Sequence, residues 1–106
     1  MTIKRTKSQA MLQLEKITGG PMTLGRYLKS IRLGEELTQK TFATHLGISP
    51  QHLSDIENDR EAVEVDRAAR FAKILGYPVE QFIRLALDAK LKKAKLRFTV
   101  QLRAAS

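Results

Sequence analysis

Residues 37–59, LTQKTFATHLGISPQHLSDIEND, contain two short helical patterns joined by a turn of three residues. Thr38 is a favourable N-cap for the first pattern, residues 38–46, because its hydroxyl can accept a hydrogen bond from a first-turn N–H. Gly47 ends that pattern, since glycine adopts the left-handed conformation of a helix C-terminus without steric cost. The stretch therefore predicts a short helix followed by a sharp turn.

A second helix is predicted over residues 50–58. Ser49 can cap it, and Pro50 suits its first position, where the missing N–H of proline costs nothing and its fixed φ is already helical. Leu53 and Ile56 lie three residues apart, so they face the core together. The polar side chains at the start of this helix are then expected to point towards solvent or a partner.

Apolar residues at helical spacing predict three more helices in the same domain. One begins near Thr23, one covers residues 65–75, and one starts with Pro78 at its first position. Arg32, in the first of these helices, is expected to point away from the core. The apolar positions that carry these predictions are Leu24, Tyr27, Leu28, Ile31, Ala68, Phe71, Ala72, Leu75, Val79, Phe82, Ile83 and Ala86. The predicted fold class is therefore all-α with five helices.

The two ends of the chain differ from this central domain, which is predicted to cover residues 22–88. Residues 1–21 are predicted to be an N-terminal arm with a short helix that ends at Gly19-Gly20-Pro21. Residues 89–106 are predicted to continue the last helix as the basic segment KLKKAK and then to form a strand. The strand prediction depends on a two-residue apolar period at Leu96, Phe98, Val100 and Leu102.

A single strand leaves its backbone N–H and C=O groups unpaired. The simplest partner is the same strand of a second chain, so the sequence predicts an antiparallel pairing of residues 96–103 in a two-fold homodimer. Two alternatives stay open. The strand could pair with the N-terminal arm of its own chain, or the segment could be a frayed tail.

Charge is unevenly distributed along the chain. The 106 residues carry a formal net charge of +8 and include no cysteine. Residues 1–33 and residues 84–106 each carry +6, whereas residues 34–83 carry −4. Basic ends favour a polyanionic partner, either nucleic acid or an anionic membrane surface. The lack of cysteine excludes a disulfide framework and thiolate metal sites, and it is compatible with a reducing cytoplasm. No apolar run is long enough to span a bilayer, and the first residues lack the apolar core of a secretory signal.

Residues 37–59 resemble the helix-turn-helix of the Cro/cI-type family, also called the XRE family, and the resemblance extends over about residues 24–87. It implies a five-helix, lambda-repressor-like domain that binds double-stranded DNA in a sequence-specific way. One departure is Asp59, where the family often has glycine, and its charge is expected where a phosphate passes. The matching residues are Leu37-Thr38-Gln39, Ala43, Leu46-Gly47-Ile48-Ser49, Leu53 and Ile56-Glu57-Asn58.

The resemblance also implies which residues contact DNA. Gln39 would contact a phosphate, and Pro50 would pack against a thymine methyl. Gln51 and Asp55 would contact base edges, because Gln can pair with adenine and Asp can accept a hydrogen bond from the cytosine amino group. The full candidate set is Gln39, Lys40, Ser49, Pro50, Gln51, His52, Ser54, Asp55, Asn58 and Arg60.

The role that the resemblance implies is transcriptional repression by a homodimer on a palindromic operator, with half-sites about 34 Å apart. Small repressors with a short C-terminal extension also resemble antitoxins of the HigA and HipB kind, which bind a toxin protein and repress their own operon. A stand-alone repressor, for example one of phage origin, is an equal alternative. The expected location is the cytoplasm of a bacterium, at the nucleoid.

Other functional classes have less support from the sequence. A protein-interaction module that uses the fold without reading DNA stays open, because residues 34–83 are acidic and Asp55, Glu57 and Asp59 lie on or beside the second helix. Membrane-surface binding through KLKKAKLRF lacks a broad apolar helical face. No catalytic set and no glycine-rich phosphate loop is present, so neither an enzyme nor a cofactor is expected. His52 and Asp55 are spaced like a metal pair but lack a third ligand, so no metal is expected.

Overall fold

The computed structural model describes residues 22–105, which form five α-helices and no strand. The predicted all-α, five-helix fold is confirmed. The predicted N-terminal arm and its short helix lie outside the described residues. The helices are α1 (Leu24–Gly34), α2 (Gln39–Leu46), α3 (Pro50–Glu57), α4 (Val65–Leu75) and α5 (Val79–Lys93).

One hydrophobic core joins the five helices. Phe42 of α2, Phe71 of α4 and Phe82 of α5 are fully buried at its centre. Burying an aromatic side chain of this size contributes about 1.5–3 kcal/mol to folding. Because α2 and α3 both pack against this framework, the surface that they present to solvent is held in a fixed arrangement.

Side-chain caps fix the start of the first three helices. The hydroxyl oxygens of Thr23, Thr38 and Ser49 each accept a hydrogen bond from a first-turn N–H, at 3.0–3.1 Å. The predicted start signals at Thr38 and at Ser49-Pro50 are therefore confirmed. Helix α5 begins at Val79 with Pro78 as its N-cap residue, one position later than predicted.

All five helices end in the same way, with one residue in the left-handed conformation. The next N–H then donates to the carbonyl five residues back, which closes a Schellman motif. Glycine favours this conformation, whereas other L-residues disfavour it by about 1–2 kcal/mol. The left-handed residues are Glu36, Gly47, Asp59, Gly76 and Lys95. Sharp helix ends keep the loops short, and at Asp59 they also set where the chain goes after α3.

Helix α1 crosses close to the C-terminal end of α3. A Cβ built on Gly25 would lie only 1.9 Å from the carbonyl oxygen of Ile56, so any side chain at this position would displace one helix from the other. Only glycine fits without displacement. The first turn of α1 thus supports the helix whose N-terminal half is exposed.

The C-terminal segment has neither helix nor strand in this single chain. Helix α5 continues without a break across the predicted boundary after residue 88, and residues 96–105 then run as irregular chain. Leu96, Phe98 and Leu102 are 49%, 71% and 40% exposed. No strand among residues 22–105 offers a ladder for this segment, so the predicted pairing with a second chain stays a prediction.

Candidate nucleic-acid interface

The N-terminal half of α3 presents polar side chains to solvent and apolar ones to the core. Pro50 and Gln51 are exposed and Asp55 is half-buried, whereas Leu53 and Ile56 are fully buried. The sequence prediction that this helix has one inner and one outer face is confirmed. The outer face begins at the helix N-terminus, where the positive end of the helix dipole also lies.

The carboxylate of Asp55 is the centre of a hydrogen-bonded group on this outer face. Its Oδ1 atom accepts from Gln51 Nε2 at 3.1 Å, from Arg60 Nε at 3.1 Å and from Arg60 Nη2 at 2.9 Å. Gln51 and Arg60 therefore both contact Asp55 in the free protein, and all three are residues predicted to contact DNA. One turn further along, Asn58 Nδ2 donates to the carbonyl oxygen of Ser54 at 2.8 Å.

Asp59 lies just beyond α3 and has a φ of 58°, which is the conformation that glycine would adopt more easily. Its Oδ1 accepts a hydrogen bond from Thr23 Oγ1 at 2.7 Å, and its Oδ2 lies 3.6 Å from Arg26 Nε. The prediction treated this carboxylate as a negative charge placed against a phosphate. The structure pairs it with the start of α1, which offsets part of that charge, and its place beside a phosphate stays a prediction.

His52 contacts two residues that follow α3 in the chain. Its Nε2 atom contacts Glu61 Oε2 and lies 3.4 Å from Arg67 Nη1. These residues and Arg70 line a shallow cavity of about 360 Å³ beside the outer face. Within residues 22–105, no group of three or more His, Cys, Asp or Glu side chains is arranged to hold a metal ion.

Helix α2 begins with Gln39 and Lys40, of which Gln39 contacts the end of α3. Lys40 is exposed and Gln39 is half-buried. Gln39 Nε2 donates to Glu57 Oε1 at 3.0 Å, which uses one of the two amide N–H groups and orients the side chain. The second N–H is left for another acceptor.

A buried ion pair lies beneath this surface, and the sequence prediction missed it. Arg32 Nε donates to Glu57 Oε2 at 2.8 Å and Arg32 Nη2 donates to Glu57 Oε1 at 3.0 Å, a bidentate geometry. Arg32 Nη1 also donates to the carbonyl oxygen of Leu37 at 2.9 Å. Arg32 was expected to point away from the core. That expectation is wrong, because the side chains of Arg32 and Glu57 are only 11% and 1% exposed.

The sequence held a signal for this pair. Arg32 lies four residues after Leu28, and Glu57 lies four residues after Leu53, so each charge continues a row of buried residues on its helix. Two opposite charges on the inner rows of two helices indicate a buried pair, since an isolated buried charge costs too much free energy to persist.

The basic end of α5 lies beside the loop that follows α3. Lys90 Nζ is 2.9 Å from Glu64 Oε2, and Glu64 immediately precedes α4. Lys92, Lys93 and Lys95 are exposed in the next turn. No helix in the described part of the chain is long and apolar enough to cross a membrane.

Comparison with known proteins identifies one family. The family model for helix-turn-helix domains matches residues 28–82, which is just over half of the chain. The match begins within α1 and ends within α5, so it includes α2, α3 and the whole of the outer face. No match was found among curated proteins or among solved structures.

Proposed function

We propose that this chain, which belongs to the Cro/cI-type (XRE) family of helix-turn-helix DNA-binding transcriptional regulators, is a dimeric repressor that reads a palindromic operator with α3. The family is not a family of enzymes. DNA binding follows from the family. Repression, the dimer and the residues that contact DNA are parts of the proposal.

One observation carries the proposal: a rigid helix whose outer face offers hydrogen-bonding side chains at its N-terminal half. Gln51 and Asp55 lie one turn apart on this face, and both are chemically able to pair with base edges in a major groove. Arg60 lies beside Asp55 at the margin of this face, where phosphates would pass, and the exposed Lys40 offers a further charge from α2. The buried Arg32–Glu57 pair holds this helix against α1, so the face keeps its shape when it meets DNA.

The test of sequence reading is selection from a pool of random-sequence duplexes by the full chain. We expect a palindromic consensus to emerge, and the selected duplex should bind at least a thousandfold more tightly than random duplex at the same salt concentration. The alternative is a protein-interaction module, which the net charge of −4 over residues 34–83 favours. If the pool yields no consensus and affinity for duplex does not depend on salt, the interaction module replaces the repressor.

We further propose that the lysines at the end of α5 contact phosphates. Their position beside the loop after α3 supports this, since phosphates that flank a major groove pass that loop. Replacing Lys92, Lys93 and Lys95 by Gln should weaken binding to every duplex alike. The slope of log K against log salt should flatten by about 0.9 for each phosphate that the variant no longer neutralises. An unchanged slope would show that these lysines are only solvated.

The dimer is proposed to form through residues 96–103, which would pair antiparallel across a two-fold axis. The exposed Leu96, Phe98 and Leu102 support this, because nothing within residues 22–105 covers them. Light scattering on the full chain and on a chain ending at Lys95 provides the test. We expect the full chain to be a dimer and the truncated chain to be a folded monomer that binds the operator much more weakly. A truncated chain that stays dimeric would refute this interface.

The antitoxin role of the HigA and HipB kind is a narrower form of the same proposal. It requires a toxin protein that binds this chain, and such a toxin would be expected in the neighbouring reading frame. Co-expression of that neighbour and co-purification of a complex would support the antitoxin role. A neighbour without toxicity or binding would leave a stand-alone repressor.

A further inference from the structure

The outer face of α3 is internally paired before any DNA arrives. One oxygen atom, Asp55 Oδ1, accepts all three hydrogen bonds from Gln51 and Arg60. The side chains are solvent-accessible, with 32% of Asp55 and 57% of Arg60 exposed. The guanidinium group of Arg60 is thus paired with the Asp55 carboxylate while it stays accessible to solvent.

Backbone geometry keeps Arg60 in this position. The left-handed Asp59 turns the chain back over the last turn of α3, and the N–H of Arg60 donates to the carbonyl oxygen of Asp55 at 2.8 Å. The N–H of Glu61 points to the same carbonyl at 3.3 Å. The main chain of Arg60 is therefore fixed beside Asp55, within reach of its carboxylate.

A phosphate and a carboxylate compete for the same guanidinium group. While Arg60 is paired with Asp55 its charge is already compensated, so it neutralises a DNA phosphate fully only when it leaves Asp55, and an unpaired carboxylate facing DNA repels the phosphates. The repulsion is relieved when Asp55 accepts a hydrogen bond from a base amino group, such as N4 of cytosine. Exposed ion pairs contribute little to stability, so the exchange of partners is not blocked by the folded state.

We propose that Asp55 is a specificity-determining residue that restrains Arg60. It releases Arg60 to a phosphate only when a base amino group replaces Arg60 as the hydrogen-bond donor to Asp55. The proposal depends on the proposed function, in which α3 reads the major groove. On random duplex Asp55 keeps Arg60, so binding is weak. On the correct base Asp55 changes partner, and one base contact then brings one additional phosphate contact. Discrimination arises partly from weakened binding to wrong sequences.

The simpler alternative is that the Asp55–Arg60 pair only stabilises the turn after α3. A second alternative is that Asp55 acts merely as one more negative charge near DNA. Neither alternative has Asp55 keep Arg60 from a phosphate. The decisive measurement is therefore the contribution of Arg60 to duplex binding with and without the Asp55 carboxylate.

The experiment is a double-mutant cycle on random-sequence duplex, measured by fluorescence anisotropy with the full chain over a range of salt concentrations. The four proteins are wild type, Asp55→Asn, Arg60→Gln and the double variant. Asp55→Asn should bind random duplex about tenfold more tightly, and its slope of log K against log salt should steepen by about 0.9, because Arg60 then neutralises a phosphate. In the Arg60→Gln background the same change should raise the affinity threefold at most, with no change of slope.

Asp66→Asn is the matched control, since it removes one exposed carboxylate from α4. It should raise the affinity by a smaller factor that is the same with Arg60 and with Gln at position 60. Thermal unfolding by circular dichroism should confirm that all variants are folded at the binding temperature.

Several results would overturn the inference. If Asp55→Asn raises the affinity equally in both Arg60 backgrounds, or only as much as Asp66→Asn, the carboxylate acts by charge alone. If Asp55→Asn leaves the affinity unchanged, the pair only fastens the turn. Absence of duplex binding by wild type and by every variant would refute the proposed function, and this inference with it. Binding by wild type without the predicted coupling would refute the inference alone.

Discussion

Two carboxylates on α3, Asp55 and Glu57, accept hydrogen bonds from the same kinds of side chain, but one carboxylate is accessible to solvent and the other is buried. Glu57 accepts from the Nε and Nη2 atoms of Arg32 and from the amide of Gln39. Asp55 accepts from the Nε and Nη2 atoms of Arg60 and from the amide of Gln51. Glu57 is 1% exposed and its arginine 11%, whereas Asp55 is 32% exposed and its arginine 57%.

The contrast indicates that burial sets how much an ion pair of the same arginine donors contributes to stability. Breaking a buried pair leaves an uncompensated charge in the core, which costs about 3–5 kcal/mol. An exposed pair contributes about 0–1 kcal/mol, because water solvates either partner when the other is removed. The inner pair is therefore a fixed part of the fold, whereas the outer pair can exchange partners at little cost in stability.

Removing the inner carboxylate should have the largest effect. Glu57→Ala leaves Arg32 charged and buried, so we expect the free energy of unfolding to fall by about 3–5 kcal/mol. Urea denaturation followed by circular dichroism measures this. Asp55→Ala is the matched control and should lower it by less than about 1 kcal/mol. Similar decreases for the two variants would show that burial does not separate the two pairs.

The two glutamines extend the same contrast with a smaller effect. Gln39→Ala removes a hydrogen bond to the buried carboxylate, and bonds to charged groups contribute about 1.5–3 kcal/mol. Gln51→Ala removes its exposed counterpart and should change stability by no more than about 0.5 kcal/mol. Thermal melts of both variants at one pH provide the comparison. If Gln51→Ala lowers the stability more than Gln39→Ala does, the glutamine that stabilises the fold is the one on the outer face.

Local rules were enough to predict the helices and the outer face from the sequence. Thr38, Gly47 and the Ser49-Pro50 pair act through contacts within a few residues, so their positions in the chain reveal their roles. The apolar rows of the helices could be predicted equally well from their spacing in the sequence. The structure then confirmed these elements with only one-residue differences at some ends.

The charged residues were harder to place, because their roles depend on distant partners. Arg32 is buried only because Glu57 meets it, and the two are 25 positions apart in sequence. Asp59 likewise takes its place through Thr23, 36 positions away. Residues 96–103 pose a related problem, since their apolar period has no partner among the described residues 22–105. Formal charge predicts exposure on average, and it fails where two opposite charges share a site.

Reading of bases by the outer face is the next prediction. We expect Gln51→Ala to reduce discrimination between the selected operator and random duplex by about 1–3 kcal/mol, because alanine cannot make the bidentate hydrogen bonds to a base. Titration of both duplexes at one fixed salt concentration measures this. Gln39→Ala should weaken binding to both duplexes alike, if Gln39 contacts only phosphate. Equal weakening on the two duplexes for Gln51→Ala would make Gln51 a backbone-binding residue as well.

Asp59, which follows both carboxylates in the chain, should show the smallest effect. Asp59→Ala keeps the strained left-handed conformation and removes the bond from Thr23, so we expect stability to fall by about 1 kcal/mol. Asp59→Gly removes the same bond but relieves a backbone cost of about 1–2 kcal/mol, so its net change should be close to zero. Urea denaturation of the two variants separates the backbone effect from the side-chain effect. Equal decreases would mean that the contacts with Thr23 and Arg26 dominate. In that case the aspartate would be retained for its pairing with α1 and not merely tolerated at a position where glycine fits better.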